Sequence, residues 1–282
     1  MRQATLRKMF SLSGIGVHSG KTFSVTVFPA DEDFGIQFHR TDIDWYISAN
    51  WLNVQNATMC TQLTNNSGET IKTIEHLAAS LYAMKISNAL IETTGEEIPI
   101  LDGSSMPYVK AIQDAGITEQ LRPRRVLKIL KNITVTESTK HETFSPFDDF
   151  TIDVECDFTA KGLTTSPAHF NMNSGNFMSE IASARTFGFV EEMESLQKNN
   201  LALGASLENA VGYNNQGQPL NKEGLRFQNE SAVHKLLDII GDLSLSEYWI
   251  AGKLSAFCPS HNLNNMLLRE LFSNTDNYEI IE

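Results

Sequence analysis

Cysteine is scarce, with only Cys60, Cys156 and Cys258 in 282 residues and no Cys-x-x-Cys pair. Neither a disulfide framework nor a thiolate metal site can therefore organise the chain, and a reducing compartment suits it. Long apolar runs are also lacking. None approaches the roughly 18 residues a bilayer-spanning helix needs, so no stable membrane insertion is expected. Behind the basic start (Arg2, Arg7, Lys8) stand only Phe10, Leu12 and Ile15, interrupted by glycine. The chain thus reads as non-secreted, with the cytoplasm as its expected location. Positive charge is in short supply: 22 Lys and Arg face 34 Asp and Glu, for a net charge of −12. A nucleic-acid partner is not expected, because such proteins present a basic face to phosphate. An anionic small molecule stays compatible, since a few converging basic side chains can dominate one cleft. What is present, 41% hydrophobic and 20% charged residues, describes a globular chain long enough for two domains.

The texture of the chain repeats. Residues 4–40 read as short strands joined by turns, and residues 126–158 repeat that texture. A helix over 71–84, a strand over 88–93, a turn with Asp102-Gly103 and a helix over 105–113 then follow in the first half. In the second half come a helix over 232–243, a strand over 248–257, a turn holding His261 and a helix over 263–272. Asp102 follows His76 by 26 residues and His261 follows His234 by 27. The expected fold is α+β, with two related domains from an internal duplication, each a β-sheet layered against helices. They divide at a polar, proline-containing linker (119–125) into residues 1–122 and 123–282. Each carries its own insertion, roughly 41–65 in the first and a strand–helix–strand segment at about 184–223 in the second. The active site is expected between the two domains.

His234 and Asp238 stand four apart, so one helical face carries an imidazole and a carboxylate, with Asp242 continuing the stripe. Alone this is a weak signal, more often a solvated ion-paired face. Here Val233, Leu236, Leu237, Ile239 and Ile240 surround it, which points to a buried helix whose charges need a partner or a metal. Glu75-His76 on the other helix offers a ligand beside a carboxylate free to act as a base. Two His and one Asp are three ligands, the count of a catalytic zinc with one open position. The glycines of residues 14–20 lack Gly-x-Gly-x-x-Gly spacing and read as a strand–turn–strand with His18 near the cleft.

The motifs Gly14-Ile15-Gly16-Val17-His18-Ser19-Gly20-Lys21, Thr73-Ile74-Glu75-His76-Leu77, Glu97-Ile98-Pro99-Ile100-Leu101-Asp102-Gly103-Ser104, Ala184-Arg185-Thr186-Phe187-Gly188-Phe189, Gly224-Leu225-Arg226-Phe227, His234-Lys235-Leu236-Leu237-Asp238-Ile239-Ile240-Gly241-Asp242-Leu243 and His261-Asn262-Leu263-Asn264-Asn265 stand in order. Over about residues 4–272 the chain resembles the UDP-3-O-acyl-N-acetylglucosamine deacetylases, zinc enzymes of lipid A synthesis. The resemblance implies zinc (with Fe2+ also acceptable to such a ligand set) on His76, His234 and Asp238, and a UDP-linked acylated amino sugar as substrate. It implies Glu75 as general base, His261 as charged acid partner oriented by Asp242, and Thr186 as a donor to the tetrahedral intermediate. Lys235 and Lys140 match diphosphate and uridine contacts. Phe187, Phe189, Leu201, Leu207 and Val211 match an acyl-chain passage, and Val17 and Cys60 complete the substrate contacts. Two departures from the family pattern, Thr159-Ala160-Lys161 and Cys258-Pro259-Ser260, keep a different acylated nucleotide sugar as the alternative substrate. A silent scaffold is disfavoured, because every polar residue of the set is retained. Oligomeric state and acyl length are not legible.

Overall fold

Alternation builds the sheets. In Thr22–Pro29 the apolar Phe23, Val25 and Val27 turn inward while Thr22, Ser24 and Thr26 face out, the signature of a strand covered on one side. The computed structural model describes residues 1–55 and 57–282; Asn56, within the first expected insertion, lies outside them. The chain is a mixed α+β fold with two principal sheets. The first has the order Phe10–Ile15, Thr22–Pro29, Ala89–Thr93, Ile36–Arg40, Trp45–Ser48. The second holds Ile133–Glu137, Lys140–Ser145, Trp249–Phe257, Phe150–Cys156 and Ser166–Asn171 in the corresponding order, extended by Val126–Ile129 and Tyr278–Ile281. Pairing senses also correspond. In each sheet the long strand (Ala89–Thr93 or Trp249–Phe257) is antiparallel to the hairpin strand on one side and parallel to its other neighbour.

Among the described residues six α-helices accompany the sheets: α1 (Glu75–Ala83), α2 (Met106–Ala115), α3 (Phe177–Glu180), α4 (Val190–Lys198), α5 (Glu230–Leu243) and α6 (His261–Phe272). In α5 every residue but Lys235 is buried, and in α1 every residue but Ala83. Helices covered all round belong at the centre of a fold. They cross at Gly241, where an added Cβ would lie 2.1 Å from the carbonyl oxygen of Glu75. That contact is with backbone, so a side chain at 241 would force the helices apart. Leu77, Leu236, Leu237 and Ile240 around the crossing are fully buried; each contributes roughly 1.5–3 kcal/mol through burial.

Four sequence expectations are corrected. Helix α1 begins at Glu75 rather than 71, because Thr73 takes a left-handed φ of 60° and its hydroxyl donates to Glu97; residues 70–71 form a short strand. The polar linker is part of a strand, Ile117–Pro123, paired antiparallel with Arg2–Leu6; Gly116, with φ 74°, ends α2. Trp45–Ser48, placed in the first insertion, is the edge strand of the first sheet. His261 sits in no turn: it opens α6, after Ser260 caps the helix by accepting the Leu263 amide.

Candidate active site

The α1–α5 crossing sets three donors around one point. Nε2 of His76 lies 3.7 Å and Nε2 of His234 3.3 Å from Oδ1 of Asp238. One donor atom from each residue falls within 4.8 Å of the others, and all three residues are buried. The His234 Nδ1–H donates to the Ala184 carbonyl at 3.0 Å, which leaves the Nε2 lone pair facing the cluster. His76 differs: its Nδ1 is sealed without a hydrogen-bond partner among the described residues, and its ring is held edge-on to His234 with centroids 5.0 Å apart. Burial above all, with His234 beside it, pulls His76 down to about 3, and burial lowers His234, so both rings are neutral and able to ligate. Burial works to raise Asp238, but the charged Lys235 and His261 outweigh it and hold the carboxylate ionised. Lys235 Nζ donates to Asp238 Oδ2 at 2.9 Å, whereas Oδ1 is sealed and has no hydrogen bond among the described residues. A charged oxygen left bare in the interior is costly. Coordination of a divalent cation would meet that oxygen and use both free imidazole lone pairs, so this donor set fits a metal.

Two further ionisable groups flank the cluster. Glu75 is 3% exposed and accepts the Thr61 amide on Oε2 at 3.1 Å. Burial pushes it up to about 8, against the opposing pull of His261. His261 Nε2 lies 3.9 Å from both Glu75 Oε1 and Asp238 Oδ2, and its Nδ1–H donates to Asp242 Oδ2 at 2.8 Å. Burial opposes its charge, yet Asp242 prevails and raises it to about 9. Asp242 also accepts from Asn264 Nδ2 at 2.6 Å and from the Thr61 hydroxyl.

Sequence reasoning misses Thr61. One residue joins the Glu75 arm through its amide and the Asp242–His261 arm through its hydroxyl. No spacing marks it, and the segment reads as an insertion. Glu97, named in a motif but given no role, is fully buried, and its carboxylate accepts the His18 and Ser19 amides at 2.8 and 2.9 Å and so shapes the glycine turn. A Cβ on Gly16 would overlap that carboxylate.

The other expected residues are spread wider. Thr186 is fixed through its backbone, its amide donating to Gly103 and its carbonyl accepting from Val211. Phe187 meets the His234 ring edge-on at 6.3 Å and lies 5.8 Å from Lys235 Nζ. Phe189 and Val211 are buried in one cluster with Tyr213, against which Phe158 and Phe187 pack. Leu201 and Leu207 lie outside that cluster, and Leu207 is 45% exposed. The Val17 carbonyl accepts the Gly204 amide at 3.0 Å, tying the glycine turn to the 201–207 loop. Cys60 is buried beside Thr61, with burial pushing its thiol up. Lys140 opens its strand opposite Glu137. Asp102 is in an ion pair, with Arg226 Nη1 2.9 Å from Oδ2.

Glu142 is fully buried behind this site, and neither of its oxygens has a hydrogen bond among the described residues. Burial, then Asp242, holds its carboxyl well above the ordinary range. The unfolded chain releases that proton near pH 4.3 while the folded one keeps it, so stability falls as pH climbs above that point. Glu142→Gln is expected to flatten this fall by up to about 1.4 kcal/mol per pH unit. Urea unfolding of both proteins at several pH values between 5 and 8 measures it; parallel curves would show that Glu142 is ionised in the native state.

The description of the UDP-3-O-acyl N-acetylglycosamine deacetylase family matches residues 3–273. The UDP-3-O-acyl-N-acetylglucosamine deacetylase of Psychrobacter sp. (strain PRwf-1) is 42% identical over 285 residues, covering 100% of this chain and 95% of that protein. That of Pseudomonas entomophila (strain L48) is 41% identical over 286 residues, covering 100% and 93%. Matches of this extent, on a fold whose centre gathers His76, His234 and Asp238, leave one conclusion: the chain belongs to the UDP-3-O-acyl N-acetylglycosamine deacetylase family of enzymes.

Proposed function

We propose that the chain hydrolyses the acetamide of UDP-3-O-acyl-N-acetylglucosamine, giving the free amine and acetate in the committed step of lipid A synthesis. The observation that carries this reading is the bare, buried Asp238 Oδ1 facing two neutral imidazoles, with Glu75 and His261 beside it. In this reading His76, His234 and Asp238 hold one divalent ion, zinc or iron(II), which when bound polarises the amide and acidifies water. Glu75 takes a proton from the attacking water. His261, kept charged by Asp242, delivers a proton to the departing nitrogen. Thr186 donates to the oxygen that gains charge as the carbonyl becomes tetrahedral. Lys235 and Lys140 face the diphosphate and uridine, Val17 and Cys60 border the sugar, and Phe187, Phe189, Leu201, Leu207 and Val211 line the acyl chain.

The division into residues 1–122 and 123–282, with the insertions and the duplication, belongs to the same proposal. The matching strand orders of the two sheets support it. Among the described residues no helix is long and apolar enough to cross a membrane; a cytoplasmic enzyme working on a diffusible nucleotide sugar accords with that. Purified protein supplied with zinc is expected to release acetate from UDP-3-O-acyl-N-acetylglucosamine, and a chelator to abolish the release reversibly. Folded, zinc-loaded protein that releases none would overturn the proposal. Release from a differently acylated nucleotide sugar alone would move it to the alternative substrate.

A further inference from the structure

Tyr82 lies six residues beyond His76 on α1, about 9 Å further along the axis. It lines a separate cleft of about 270 Å³, together with Gln37, Ser87, Asn88, Arg124 and Glu247. Arg124 is only 8% exposed. Its guanidinium carbon lies 5.3 Å from the centroid of the Tyr82 ring and 4.9 Å from that of Trp249. Nη1 is sealed without a hydrogen bond, and among the described residues the guanidinium has neither hydrogen bond nor ion pair. Ser87 Oγ, in the same cleft, is likewise buried and unpartnered.

The acids of this wall are engaged elsewhere. Asp33 accepts from Arg122 and Gln3, and Glu247 accepts from Asn50. Another buried arginine of this protein shows the ordinary arrangement: Arg185 is paired with Glu230 and Glu223 and also donates to the Gly224 carbonyl. Arg124 cannot escape by losing its proton, because a guanidinium stays charged. Ring faces offset only part of the cost of burying it. The partner that completes it must be an acceptor, negative and small. A planar fork of N–H groups matches two oxygens of one carboxylate or phosphate.

We propose that this cleft binds a small oxyanion, a carboxylate or a phosphate group, through Arg124 and Ser87, apart from the metal-ligand cluster. The test is calorimetric titration of the metal-loaded full chain with inorganic phosphate and, separately, with acetate, at constant ionic strength set by chloride. Saturable binding of at least one anion is expected. Affinity should fall about tenfold or more in Arg124→Gln and about threefold in Ser87→Ala, the scale of losing a charge-assisted fork and one neutral donor. It should be unchanged in Lys235→Gln, which excludes the active-site cation as receptor. The anion that binds identifies the ligand class. No saturable binding of either anion, or affinity retained in Arg124→Gln, overturns the proposal. If Arg124→Gln fails to fold by circular dichroism, unchanged affinity in Ser87→Ala overturns it, and the threefold loss supports it.

Discussion

Glu75→Gln is expected to lower kcat by about a thousandfold while the protein keeps its metal and its melting temperature. The amide is isosteric and can still accept the Thr61 N–H, so the α1 terminus keeps its local geometry. What it cannot do is take a proton, a function worth typically 10²–10⁴ in rate. Burial already holds Glu75 at about 8, a carboxylate whose basicity suits neutral pH. His261, raised to about 9 by Asp242, must remain charged. The rate should therefore rise with pH as Glu75 ionises and fall as His261 discharges. A bound cation would shift both limbs downward, and the two apparent values belong to the coupled pair. In Glu75→Gln the rising limb should disappear and the falling limb should stay. Single-turnover rates across pH, with metal content measured on the same samples, decide the matter. A loss under tenfold, or a surviving rising limb, would assign the base to another group.

Asp238→Ala tests the metal site directly. Zinc content should drop from near one ion per chain to a small fraction, and acetate release should fall below detection. The metal-free variant should also melt below the metal-free parent, because the substitution leaves Lys235 Nζ and His261 without the buried carboxylate they face. The parent should gain about 4 kcal/mol when zinc stands a thousandfold above its dissociation constant, and the variant almost nothing. Melting curves with and without zinc test both halves. A variant that keeps zinc near one ion per chain, or that is stabilised by zinc as much as the parent, would mean that Asp238 is not a ligand. His234→Ala should lose zinc in the same way.

The cluster of His76, His234 and Asp238 is legible because α5 is regular. Once His234 and Asp238 fall on one face, their convergence follows from helical rise alone, and α1 contributes only one residue to match. The supporting groups are hidden because they come from irregular chain. Thr61 lies between short strands, and its importance arises from contacts 14, 181 and 200 residues away. Glu97 acts on the glycine turn 79 and 78 residues before it. The strand Ile117–Pro123 is largely exposed and shows no alternation; only its distant partner Arg2–Leu6 defines it. By contrast, the α6 boundary is readable. Pro259-Ser260 before His261 is a proline followed by a capping side chain, and it starts a helix rather than extending a turn.

The closeness of α1 and α5 at Gly241 bears on how this protein tolerates change. A spacing set by side chains would drift with every core substitution, since neighbours repack by fractions of an ångström. Here backbone meets backbone at the residue next to His76, between Asp238 and Asp242 on the opposing helix. The approach works as a mechanical stop. The surrounding leucines and isoleucines are free to vary in shape while the gap between the two helices, and with it the span across which His76 faces His234 and Asp238, keeps one value. Tolerance in the core and exactness at the centre are thereby uncoupled, and the whole arrangement hangs on the absence of a single methyl group.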